Sequence, residues 1–143
     1  MPKPDPALLD PARYPFSCII ETRYRDLDSN LHINNGVFAS LLEEGRVRFH
    51  RASQFGGVSG EMTAMVVSVA IEYLGESHFP EPLDVYVGAA KIGNSSYDLC
   101  QLVMQQREVI AFAMVTLVCM KGGSPFPITS DQRQIAKPWM MAL

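Results

Sequence analysis

The chain has 143 residues, 48% of them hydrophobic and 19% charged. That is enough for one domain with a real core, too little for two ordinary domains, and unlike a disordered polymer. A formal net charge of −3 leaves no excess positive charge to grip nucleic acid or an anionic membrane, although a local basic patch for a phosphorylated ligand is compatible with it.

The opening MPKPDPALLDPARYP is broken by prolines, which remove backbone donors, and it lacks the apolar run of a signal peptide. Residues 1–16 are expected to form a loosely attached arm, and residues 17–143 one domain. CIIETRYR (18–25) mixes β-branched and polar residues and reads as a strand. The polar stretch that follows, 26–33, is expected to stay extended on its way to a helix at 36–51. There Phe38, Leu41, Leu42, Gly45 and Phe49 recur at spacings of three and four. Gly45 costs that helix about 1 kcal/mol relative to Ala, which predicts a close approach of another backbone to its face. Glu43, Glu44, Arg46 and Arg48 have spacings suited to ion pairs on an exposed helix surface or to a subunit contact.

After the loop FGGVSG, four strands are predicted at 63–74, 81–93, 97–106 and 109–120. Their short connections suggest an antiparallel meander. The last contains the longest apolar run, VIAFAMVTLVCM, which is too short for a membrane helix and rich in β-branched residues. Cys18, Cys100 and Cys119 lie in apolar strand-like stretches without CxxC spacing, against a disulfide framework or zinc site and in favour of small buried residues. The expectation is a soluble, cytoplasmic α+β protein with one helix across an antiparallel sheet.

DLDSNLHINN (26–35) carries the chemistry. If extended, Asp28, Asn30 and His32 share one face, opposite Leu27, Ser29, Leu31 and Ile33. Asn34 and Asn35 suit a helix N-cap, and Gly36 admits a close ligand. The free N–H groups of a first helical turn suit a developing oxyanion. A carboxylate beside such donors points to acyl-group hydrolysis. Asp26 is expected to pair with a nearby base or cap a strand end.

YRDLDSNLHINNGVF, with EEGR beyond it, resembles the signature of hotdog-fold thioesterases of the 4-hydroxybenzoyl-CoA thioesterase-like group, D-x-D-x-x-G-H-x-N-N-x-x-Y then E-E-x-R. DLDSNLHINN is closer still to the acyl-ACP thioesterase form, D-L-D-x-N-x-H-x-N-N, and IEYLGES is similar to that family's E-Y-x-x-E. Leu31 stands where Gly is usual, and Phe38 replaces a Tyr.

The resemblance implies a hotdog fold, an antiparallel sheet wrapped around one long helix. It also implies an acyl-CoA or acyl-ACP thioesterase needing no metal or redox cofactor. Asp28 takes the place of the general base or nucleophile, Asn30 and His32 those of positioning and polarising groups, and Glu76 that of a further water activator. The amides of Asn35 and Gly36 fall at the oxyanion contacts. The family also implies a homodimer or homotetramer, with Asp28 facing Glu76 of a second chain. The acyl group is expected along Phe38, Leu41, Leu42 and Met62. From loop position and residue type, Lys91, Asn94, Ser95, Ser96 and Lys121 could hold the CoA or carrier arm. Two weaker resemblances, SHFPEP to H-x-F-P-G and DSNLH to D-x-N-P-x-H, keep a hotdog hydratase or dehydratase as an alternative. A non-catalytic acyl-CoA-binding module is the other.

Overall fold

A computed structural model of the chain describes residues 3–56 and 63–143. Its elements are β1 (Phe16–Ile20), α1 (Asn35–Ser53), β2 (Thr63–Tyr73), β3 (Leu83–Ile92), β4 (Ser96–Gln105), β5 (Glu108–Lys121), the short β6 (Ser124–Pro125) and α2 (Ser130–Ala136). The strands form one antiparallel sheet in the order β1-β3-β4-β5-β2, with β6 against the end of β5. One long helix lying in a curled sheet is the α+β architecture expected.

The simple meander holds only for β3, β4 and β5. β2 pairs with β5, for example Ile71 with Ala113, so it lies apart from β3 in the sheet. The connection 74–82 must therefore cross the mouth of the sheet. The N–H groups of Leu74 and Gly75 both donate to Ile110 O, at 2.8 and 3.0 Å. Buried Gln105 fastens the middle: its Oε1 accepts from His78 N–H, and its Nε2 donates to the carbonyls of His78 and Glu81. A connection that looks like a plain loop in sequence thus has fixed positions.

α1 buries Phe38, Leu42, Gly45, Arg46, Phe49 and Ser53, one stripe at helical spacing, against β1, β3 and the inner residues of the sheet. At Gly45 the close neighbours are side chains, not backbone: an added Cβ would lie 2.8 Å from Val85 Cγ1 and 3.3 Å from Gln101 Nε2. Arg46 departs from the exposed ionic face expected of it, being buried against Gln101. Glu44 and Arg48 do form the exposed pair, at 2.6 Å.

The first predicted strand stops early, at Ile20, because residues 24–26 turn as a 3-10 segment with Asp26 held by Arg23 at 2.9 and 3.1 Å. The arm is also more firmly attached than expected. Two 3-10 turns, capped by Asp5 and Asp10, lead to buried Tyr14, whose hydroxyl donates to Leu8 O at 2.7 Å. Tyr14 packs with Cys100, Leu102 and Phe112 on the outer face of the sheet. All three cysteines are free, with Cys100 and Cys119 buried. β2 is one of the two edge strands, with Met65, Val66, Val67 and Val69 exposed. Among the described residues no helix is long and apolar enough to cross a membrane.

Candidate active site

The stretch 26–33 is not extended. Leu27 and Ile33 form an antiparallel bridge, Asp28 N–H donates to His32 O at 2.7 Å, and Leu31 N–H closes a turn onto Asp28 O at 3.0 Å. The cause is the Asp28 side chain, whose Oδ1 accepts the N–H groups of Asn30 (2.8 Å) and His32 (3.2 Å). This is an Asx-type turn, in which a short carboxylate replaces a backbone acceptor. It forces Leu31 to φ 63°, left-handed and exposed. Asp28 and His32 still meet, as the two ends of a turn; Asn30 is left exposed at its tip.

Asn34 begins the helix. Its Oδ1 accepts from Gly36 N–H at 2.8 Å and Val37 N–H at 3.4 Å, as an N-cap does. The Gly36 amide is therefore occupied by the cap. Among the described residues the Asn35 N–H has no partner, and it lies at the positive end of α1.

A cavity of about 230 Å³ joins these parts: Asp28 and His32 from the turn, Asn35 and Phe38 from α1, Tyr73 from the end of β2, and Glu76 from the crossing connection. His32 Nε2 stands 3.4 Å from Glu76 Oε2 in the same chain, where the resemblance implied that Glu76 serves the site of a second subunit. The His32 ring also lies edge-on to His78, 5.5 Å between centroids. Asp28 Oδ2 has no partner among the described residues.

Tyr73 was not among the residues singled out in sequence, although it stands inside IEYLGES. Its ring packs edge-on against Phe38 at 5.4 Å, and its hydroxyl approaches Asn35 O at 3.4 Å. Burial raises its pKa, so the hydroxyl keeps its proton and remains a donor. It brings back a phenol to a pocket whose helix residue, Phe38, has lost one. Ser77 and His78 were likewise invisible as neighbours, because only the crossing path of 74–82 brings them here.

The other expected ligand residues separate. Leu42 lines a neighbouring cavity between α1 and β2. Leu41 faces the opposite side of the helix, with Ile19 and Arg23. Met62 lies outside the described residues. Lys91 and Ser96 line a distinct cavity of about 240 Å³ with Asp98 and Thr116. Asn94 and Ser95 use their carbonyls to hold Ile128 and Cys119. Lys121 sits 5.0 Å over the Phe126 ring. Among the described residues no three His, Cys, Asp or Glu side chains gather as a metal site.

Known structures share this architecture. A protein of Pseudomonas aeruginosa superposes with a TM-score of 0.81 over 92% of this chain and 95% of its own, at 22% identity. A thioesterase from Thermus thermophilus, solved with coenzyme A and zinc, gives 0.77 over 87% and 93%, at 27% identity. A 1,4-dihydroxy-2-naphthoyl-CoA thioesterase from Synechocystis gives 0.72 over 85% and 93%, at 15% identity. The fold is thus the hotdog fold. No curated protein sequence matches the chain. The family profile matches residues 22–136, from just after β1 to the last residue of α2, and on that evidence the chain belongs to the thioesterase-like superfamily.

Proposed function

We propose that the chain hydrolyses acyl thioesters in the Asp28–His32–Glu76 pocket, yielding a carboxylic acid and a free thiol. The observation that best supports this is the pairing in one cavity of a carboxylate with a free oxygen, Asp28 Oδ2, and an open helix N–H, that of Asn35.

The turn fixes Asp28 through Oδ1 and leaves Oδ2 to take a proton from water, or to attack the acyl carbon itself. In the first case the water oxygen bonds to the carbonyl carbon, the C–S bond breaks, and the thiolate leaves to take up a proton. In the second the Asp28 Oδ2–acyl bond forms as the C–S bond breaks, and water then hydrolyses that anhydride to the acid and free Asp28. Charge developing on the carbonyl oxygen falls to the Asn35 N–H and the α1 dipole. The Tyr73 hydroxyl becomes a second donor by turning its one proton from Asn35 O toward the substrate. His32, steadied by Glu76, polarises or orients, while Asn30 and the Gly36 amide hold the turn and cap in shape. A positioned base is worth roughly 10²–10⁴-fold and an oxyanion donor roughly 10²–10³-fold, so the two together make a competent site.

The acyl group runs past Phe38 towards Leu42. The thiol carrier is CoA or an acyl carrier protein, and the coenzyme A held by the Thermus thermophilus relative makes acyl-CoA the first substrate to offer. The open β2 edge, apolar and unprotected by Lys or Pro, suits pairing with a second copy, as a dimer or a tetramer built from dimers.

The test is thiol release from short, long and aromatic acyl-CoAs, wild type against Asp28→Asn. Release by wild type and its loss in the variant, with folding unchanged, supports the reading and identifies the acyl class. Undiminished release by Asp28→Asn removes Asp28 from the chemistry. No release from any CoA or carrier-protein ester overturns the proposal.

A further inference from the structure

Beyond the Asp28 pocket, α1 and β2 stand apart, and two more cavities follow the seam between them. The first, about 320 Å³, lies between Leu42 and Arg46 on the helix and Val69 and Ile71 on the strand. The second, about 390 Å³, continues from Arg46 to His50 on one side and from Val66 to Thr63 on the other. With Phe38 and Tyr73 of the first pocket, the three spaces follow one line toward the C-terminal end of α1.

Arg46 lines both further cavities and is only 7% exposed. Its Nη1 donates to Gln101 Oε1 at 3.0 Å, and Gln101 Nε2 in turn donates to Leu42 O at 2.9 Å. That chain of bonds aims the guanidinium inward but supplies no negative charge. Among the described residues no carboxylate forms an ion pair with it: Glu44 is taken by Arg48, and Glu43, on the rim of both cavities, is exposed to solvent. Burial lowers the Arg46 pKa, and the exposed Glu43 carboxylate offsets this only through space, without an ion-pair contact. Such a poorly compensated buried cation is costly, and Arg presents a fork suited to a carboxylate.

We propose, building on the thioesterase reading, that Arg46 receives the far end of the acyl group and that this end carries a carboxylate. The favoured substrates are then monothioesters of dicarboxylic acids. The walls between the two ends fit a methylene chain: Phe38, Leu42, Val66, Val69 and Ile71 are apolar. From Asn35 to Arg46 the helix rises about 16 Å at about 1.5 Å per residue, and the Arg46 side chain, leaning back toward the helix N-terminus, covers about 6 Å of that. The gap left suits a chain of middle length, about eight carbons, and lies beyond a short one.

The experiment compares octanoyl-CoA with suberoyl-CoA, equal in length and different in the terminal group, as a ratio of kcat/KM values. The ratio cancels any loss of folded enzyme. Wild type is expected to favour suberoyl-CoA. Arg46→Gln is expected to cut that preference about 10- to 100-fold, the range of a buried charge-assisted bond, with Arg46→Lys between them. A wild-type ratio at or below one, or a ratio untouched by Arg46→Gln, overturns the proposal. So does dissociation of an assembly by Arg46→Gln with the ratio unchanged, since the anion would then come from a second copy. Calorimetry with free suberate and octanoate separates this proposal from the one beneath it. Suberate binding lost in Arg46→Gln supports the subsite even where no thioester is cleaved, while cleavage without terminal-group preference overturns the subsite alone.

Discussion

Asp28 Oδ1 accepts the N–H of His32 at 3.2 Å, so the side chain proposed as the base also shapes the turn that presents the imidazole. Its two duties can be separated. Asp28→Asn keeps an acceptor oxygen for the N–H groups of Asn30 and His32 but loses the charge, and thiol release should fall at least about 100-fold with little change in unfolding temperature. Asp28→Ala should lose the same activity and also about 1–2 kcal/mol of stability, since two N–H groups lose their acceptor. Calorimetric melts beside thiol-release assays distinguish the two.

Tyr73→Phe removes the hydroxyl that approaches Asn35 while keeping the ring that packs on Phe38. The expected outcome is a kcat lower by about 10- to 100-fold with KM nearly constant, the pattern of a group felt in the transition state. A matching rise in KM with constant kcat would instead make Tyr73 a wall of the pocket.

Leu31→Gly should stabilise the protein. Leu31 sits at φ 63° and is 63% exposed, so it bears left-handed strain and gains little from burial. Relief of about 1 kcal/mol, net of the greater freedom of glycine when unfolded, should raise the melting temperature by about 3 °C. A lower melting temperature would mean that the exposed leucine makes a contact in the assembled protein.

His50 gives a pH signature. Burial first, and the charge of Arg46 second, press its pKa from 6.5 down to about 4. Burial also holds the Tyr97 phenol protonated, and the neutral His50 ring shares a hydrogen bond with its hydroxyl at 2.8 Å. The folded state therefore binds fewer protons than the unfolded chain between pH 4 and pH 6.5. Stability from this source is complete above about pH 6.5 and is lost as the pH falls toward 4, on the order of 3 kcal/mol in all. Urea titrations at about pH 4.5 and pH 7.5 should show it, and His50→Gln should flatten that part of the dependence.

The long elements were legible because their apolar residues repeat over many turns or pleats. Phe38, Leu42, Gly45 and Phe49 announce α1, and the β-branched runs announce β2 to β5, within about one to three residues at each end. The turn at 26–33 was not, because it depends on one carboxylate capturing two N–H groups and on Leu31 in a conformation leucine rarely takes. Alternation predicted Asp28 and His32 on one face; a tight turn brings them together by another route. Glu76 could be matched to a motif, but its nearness to His32 depends on β2 leaving β3 for β5. α2 did leave a trace: Thr129 accepts from Gln132 N–H at 3.2 Å, and Thr-x-x-Gln is a capping-box pattern that marks such a start.

β2 has a neighbour on one side only, and neighbouring amides of a strand point to opposite sides. On either side of the bulge at Val67, the strand should therefore exchange in deuterated water in a two-beat rhythm, slow at the amides turned to β5 and fast at those between them. A second copy laid along this edge would silence the fast beat and leave the slow one unchanged, so the strand carries its own clock for assembly.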